Sequence, residues 1–110
     1  MGKDMAKHLS AEAIAWLTAK ATKRMKQNIT KEKSFYEDGH IDEWICYKLP
    51  KRFGGEEVEV NYFVYGSPYL HATAYTFHTY EHNGQSVTEM DTSSWVELKK
   101  YKIRLKANQQ

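Results

Sequence analysis

The stretch YLHATAYTFHTYEHNG, Tyr69 to Gly84, decides the fold, because it fits both a helix and a strand and each carries a different chemistry. In the helical reading Ser67 caps, Pro68 takes the first position and Gly84 follows the end, which is the usual asymmetry of helix termini. His71, Tyr75, His78 and His82 then share a face, and His78 and His82, about 6 Å apart along the axis, can reach one metal ion. The strand reading rests on content: ten of the fifteen residues from Pro68 to His82 are Tyr, Thr, Phe or His, which suit a pleated surface better than a helix. It rests also on Asn83-Gly84, the strongest short hairpin signal, followed by a second β-like run, QSVTEM (85–90). Together these favour the strand. Its rise sets His78 and His82 about 13 Å apart and turns His71 to the opposite face. No metal ligand set and no cofactor are therefore expected.

A two-residue hairpin loop fixes a register in which His82 faces Gln85, Tyr80 faces Val87, His78 faces Glu89 and Phe77 faces Met90. His78 and Glu89, on one face with Thr76 and Asp91, look like an oriented general base. Opposite charges across a strand pair are equally an ordinary feature of exposed sheet faces. Acid–base catalysis also needs a pocket and a second reacting group, which nothing in the sequence locates, so no catalytic residue is assigned.

Upstream, Ser10 is a plausible N-cap with Glu12 in the first turn, and AEAIAWLTAKATKRMKQNI contains neither Gly nor Pro, so a helix runs from there to about residue 30. Ile14, Leu17, Ala21, Met25 and Ile29 form its apolar stripe. Trp16 lies nearly opposite, with Glu12, Lys20 and Lys23, and is either covered by an end of the sheet or an anchor for a partner. Beyond Lys33 the turn chemistries EDG, LPKRFGGE and YGSP separate β-like runs. HIDEWICYKL (40–49) reads as one strand. EEVEVNYFVY (56–65) alternates, with Val58, Val60, Tyr62 and Val64 on one face and Glu57, Glu59, Asn61, Phe63 and Tyr65 on the other. SWVELKKYKIRLK (94–106) reads as the last. The predicted fold class is α+β, an N-terminal helix packed on one face of a four- to five-stranded antiparallel meander. Residues 1–110 form one domain, with 1–9 a mobile lead and 107–110 a frayed tail.

A chain of 110 residues with 41% hydrophobic and 27% charged side chains is globular in composition. The single cysteine, Cys46, cannot form an internal disulfide, and MGKDMAKHLS lacks the apolar stretch of a secretory signal, so a cytoplasmic location is expected and no membrane association. Between Ile45 and Tyr47, Cys46 reads as a small buried side chain rather than a nucleophile. Gly54-Gly55 is a turn and not a phosphate loop.

The net charge of +2 conceals segregation: both ends of the chain are basic and the middle is acidic. This leaves two candidate surfaces. The first is acidic and aromatic, with Glu37, Asp38, Asp42 and Glu43 around Trp44, and Glu57 and Glu59 beside Phe63 and Tyr65. Carboxylates ringing aromatic anchors suit docking on a basic protein target, so the expected function is a small non-enzymatic protein, of the inhibitor or immunity type, that occupies a macromolecular partner. The second is basic, with Lys20, Lys23 and Arg24 on the helix and Lys100, Lys102, Arg104 and Lys106 on the last strand. Beside aromatic side chains these would bind RNA or single-stranded DNA, which is the alternative reading. A small His-dependent hydrolase or metal enzyme is a third, and a homodimer is compatible with all of them.

Overall fold

The computed structural model describes residues 9–30, 41–64 and 68–104, and of Ile41 and Asp42 only the backbone. Glu37, Asp38, Tyr65 and Lys106 lie outside these residues, as do 1–8 and 107–110 of the expected lead and tail, and the Asp42 side chain.

Ser10 caps the first helix as its sequence predicts: its hydroxyl accepts from the Ala13 N–H at 3.1 Å, and its carbonyl from the Ile14 N–H at 2.9 Å. Helix α1 runs Ala11–Thr30. Four strands follow, β1 (Ile41–Lys48), β2 (Glu57–Val64), β3 (Tyr69–His82) and β4 (Gln85–Lys102), all antiparallel neighbours in the order β1-β2-β3-β4. The fold is therefore α+β, one helix against a four-stranded antiparallel meander. The Tyr69–His82 segment is extended.

Two turns set these strands. Gly54 and Gly55, at φ 110° and 69°, close the β1–β2 connection, which the Leu49 N–H to Glu56 carbonyl bond seals at 2.9 Å. Asn83 and Gly84, at φ 53° and 76°, supply the two left-handed residues of a type I′ hairpin. The expected register holds from that turn down to Thr76 opposite Asp91.

Alternation then sorts the side chains. Val58, Val60, Tyr62 and Val64 of β2 and Leu70, Ala72 and Ala74 of β3 are buried against α1 with Leu98 of β4. The alanines keep the sheet surface low, so that α1 seats Ala13, Leu17, Ala21 and Met25 closely upon it. Leu17, Met25, Leu70 and Tyr62 are fully buried, each stabilising the fold by about 1.5–3 kcal/mol. The helix stripe differs from expectation at its end. Asn28 is buried and Ile29 is 39% exposed, because a polar partner on β1 awaits Asn28. Trp16 is half-buried, edge-on to Tyr47 at 6.3 Å, so an end of the sheet covers it.

The runs 85–90 and 94–106, read separately in the sequence, join as one strand through irregularities. Three extra residues of β4 loop out between Asp91 and Val96, and one more between Glu97 and Lys99. The first is a hydrogen-bonded knot. Asp91 Oδ1 accepts from the Ser93 N–H (3.1 Å) and hydroxyl (2.6 Å), while Ser94 Oγ donates to the Asp91 carbonyl (2.6 Å) and accepts from the Thr76 N–H (2.7 Å). Ser94 thus replaces the ladder acceptor that the bulge removes from Thr76.

Candidate functional site: the bare face of the sheet

The helix covers one face of the sheet. Among the described residues nothing covers the other. Strand pairing lays the side chains of this bare face out in rows: Trp44, Asn61, Thr73 and Glu97 in one, Cys46, Glu59 and Tyr75 in the next, and Phe63, His71 and Lys100 on the far side, with Tyr69 opposite Lys102 beyond. Trp44 is 63% exposed. Trp95, in the stretch of β4 that loops out between Asp91 and Val96, is 54% exposed.

Rings and acids interlock across the rows. Phe63 stacks on His71 with centroids 5.3 Å apart, and His71 Nδ1 lies 2.5 Å from Glu97 Oε2. Tyr75 donates its hydroxyl to Glu59 and meets Phe77 edge-on at 5.4 Å. Burial, then the bond to Glu59, raises the Tyr75 hydroxyl pKa above its ordinary value. Lys100 Nζ sits 4.9 Å above the Tyr69 ring. Ringed by these side chains, Thr73 and Asn61 are buried although no element lies over them.

Several sequence-predicted site residues fall elsewhere. Glu43 pairs across to Tyr62 and therefore points to the helix side, where it accepts from Arg24 Nε (2.9 Å), Arg24 Nη2 (2.8 Å) and Asn28 Nδ2 (2.6 Å). That bond, and the Glu43 charge, hold the Arg24 guanidinium pKa above its ordinary value. Glu43 is thus separated from Trp44 by one sheet thickness, and Arg24 is committed to it. Of the acidic and aromatic set, Trp44, Glu57, Glu59 and Phe63 share the bare face. Cys46 is exposed on that face too, contrary to the buried position its neighbours suggest. Its thiol pKa is raised, first by desolvation and then by Glu59 and Glu57.

The basic set does not assemble. Lys20 and Lys23 are exposed on α1, on one side of the sheet, while Lys100 and Lys102 register with His71 and Tyr69 on the other, and Arg104 lies past the end of β4. Comparison with protein-family models, with curated proteins and with solved structures returns no match.

The His71–Glu97 pair was not foreseeable from the hairpin register, which places His71 opposite Val96; it faces Lys100, four residues on. A signal for the shift exists in the sequence. Apolar positions of β4 run in one phase at Val96 and Leu98 and in the other at Tyr101 and Ile103, a slip that only an extra residue in the strand absorbs. Among the described residues, no three His, Cys, Asp or Glu side chains converge as metal ligands would. His78 meets Glu89 at 3.1 Å on the exposed hairpin, with both side chains about half open to solvent.

No described helix is long and apolar enough to cross a membrane.

Proposed function

We propose that the protein is a non-enzymatic binding module that acts by occupying a protein partner with the bare face of its sheet. The observation that carries this reading is the exposure of Trp44 on that face, at 63%; Trp95, in the irregular stretch of β4, is a second exposed indole at 54%. Exposed indoles on a pre-formed sheet are low-entropy anchors, since their burial in a partner pocket costs little ordering. Glu57 and Glu59 on the Trp44 side favour a target with a basic rim, as an inhibitor of a nucleic-acid-handling enzyme would meet.

The test is capture from host lysate with wild type, Trp44→Ala and Trp95→Ala. One protein held stoichiometrically by wild type and lost on Trp44→Ala, with unchanged thermal stability, supports the reading. An empty capture, or one indifferent to both substitutions, removes it.

One observation favours a second reading. Lys100 over Tyr69, beside the Phe63–His71 stack, places a cation next to ring faces as single-strand binding requires. Among the described residues, Lys100 and Lys102 flank those rings. Anisotropy with homopolymer oligonucleotides would then show affinity falling with salt at a log–log slope of about −1.4, the value for two phosphate contacts on a single strand. No binding at about 50 mM salt removes this reading.

A further inference from the structure

Strand β1 ends the sheet on one side, and its register shows which of its backbone groups are unused. The Leu49 N–H bonds the Glu56 carbonyl, and pairing runs unbroken from there to Glu43 opposite Tyr62. Hydrogen-bonded pairs alternate along an antiparallel ladder, so Tyr47, Ile45 and Glu43 turn their N–H and C=O groups to β2. Trp44, Cys46 and Lys48 therefore turn theirs outward, where no described strand lies. The side chains of all three are exposed.

The two edges of the sheet differ. The outer edge of β4 carries exposed Lys99, Lys100 and Lys102 and two irregularities, the usual devices that keep an edge from pairing. Between Glu43 and Lys48, β1 has neither: Trp44 to Tyr47 is regular in pairing, uncharged and free of proline. Such an edge is a template for another strand.

We propose that β1 pairs with β1 of a second copy, antiparallel across a two-fold axis at Cys46, so that the four-stranded sheets of two chains run together as one. A second copy is the occupant because this edge is complementary to itself. Its two charges, Glu43 and Lys48, stand at opposite ends and on opposite faces, so the pairing sets no like charges against each other. Trp44 then faces Lys48 of the other copy, a cation beside an indole, as Lys20 already lies beside Trp16. Each outward residue exchanges both its backbone bonds. Moving the axis to Ile45 brings Lys48 against Asp42, where β1 is irregular, and moving it to Tyr47 brings Trp44 against Pro50, which has no N–H. The axis is perpendicular to the sheet, so both bare faces lie on one side, and the inference does not rest on what they bind.

Sedimentation equilibrium of the full chain tests the pairing. Wild type is expected to be a dimer and Cys46→Pro a folded monomer, because the ring removes an outward N–H and costs the ladder to β2 no bond. Ile45→Pro, one residue away, removes a ladder bond and should lower the melting midpoint instead. Cys46→Lys and Cys46→Glu test the register without proline. Each sets like charges face to face across the axis and should weaken its dimer by about two- to fivefold. In an equal mixture with one variant isotope-labelled, native mass spectrometry should show the heterodimer above its statistical share. Monomeric wild type at high micromolar concentration overturns the proposal, as does a dimer that survives Cys46→Pro. A heterodimer at or below its statistical share also overturns it, since residue 46 then does not face its own copy. Monomeric wild type that still captures a protein through Trp44 removes only the pairing, and a dimer with an empty capture removes only the partner.

Discussion

Glu43→Ala is expected to be the most destabilising single change at a charged position, although Glu43 sits beside Trp44 in sequence and reads as part of a docking surface. Among the described residues its carboxylate takes three hydrogen bonds, two from Arg24 and one from Asn28, which is 4% exposed. Removing the acceptor leaves the buried Asn28 amide unpaired, a cost of about 1–3 kcal/mol. The bidentate Arg24 pair adds about 1 kcal/mol, discounted because the Arg24 side chain is 37% exposed. The total is about 2–4 kcal/mol, whereas Arg24→Ala costs about 1 kcal/mol because Asn28 keeps its partner. The double variant should be no less stable than Glu43→Ala alone, giving a coupling energy of about 1 kcal/mol. Urea unfolding followed by tryptophan fluorescence reads these differences, and in a thermal melt, at about 4 °C per kcal/mol, the midpoint of Glu43→Ala falls by about 8–16 °C. A cost below about 0.5 kcal/mol for Glu43→Ala, the range of ordinary surface substitutions, would refute the placement of this carboxylate between helix and sheet. Additive single effects would refute the pairing itself.

Four further outcomes are expected. Burial and the 3.1 Å contact with Tyr47 raise the Tyr62 hydroxyl pKa far above its ordinary 10; a raised folded pKa gives stability that is complete below the unfolded value and fades above it, so the melting temperature should drop above pH 10, and drop less in Tyr62→Phe. Ser94→Ala should cost about 1–3 kcal/mol by orphaning the buried Thr76 N–H, against a few tenths for the same change at an exposed serine such as Ser86, both read by thermal melts. Thr76 Oγ1 is buried without a hydrogen-bond partner, so Thr76→Val should be neutral or stabilising by up to about 1 kcal/mol in urea titration. Cys46, exposed but with a raised pKa, should react with a thiol reagent at neutral pH more slowly than a free thiol, and Glu59→Gln should quicken it by about twofold.

What the sequence made legible followed from period and turn chemistry. The cap at Ser10, the alternation of Val58 to Val64, and the Asn83-Gly84 turn are local signals, each sufficient to place its element and, for the hairpin, to set the register as far as Thr76. What it obscured depends on which face a residue takes. Glu43 and Trp44 are neighbours in sequence and opposites in the sheet, so a patch drawn from composition joined residues that the pleat divides. Ile29 and Asn28 traded places for a related reason: a helix stripe drawn by hydrophobicity alone ignores a buried polar side chain whose partner comes from another element. The basic set failed likewise, since Lys23 and Lys100 are of one charge class yet stand on opposite sides of the sheet.

The two slips in β4 account for much of what the hairpin register missed. In the ribbon, odd-numbered residues of β4 share the face of His78 and Tyr80; after the Asp91–Ser94 knot the even residues Val96 and Leu98 take the core side, and after the second bulge the odd residues Tyr101 and Ile103 do. Each slip inverts the strand, so the pair together restores its original facing while advancing it four residues. Without the second, Tyr101 and Ile103 would turn to solvent and Lys100 and Lys102 would turn into the helix interface, a burial of charge that no partner there offsets. The bulges are therefore required by the sequence and not incidental to it. They carry His71 onto Glu97, set Lys100 over Tyr69, and leave Trp95 exposed beside the knot. The knot also lies where β2 stops, so the strand pair beyond it is free of the sheet. One irregular stretch thus divides the four-stranded sheet, with its aromatic face, from the two-stranded ribbon that projects beyond it.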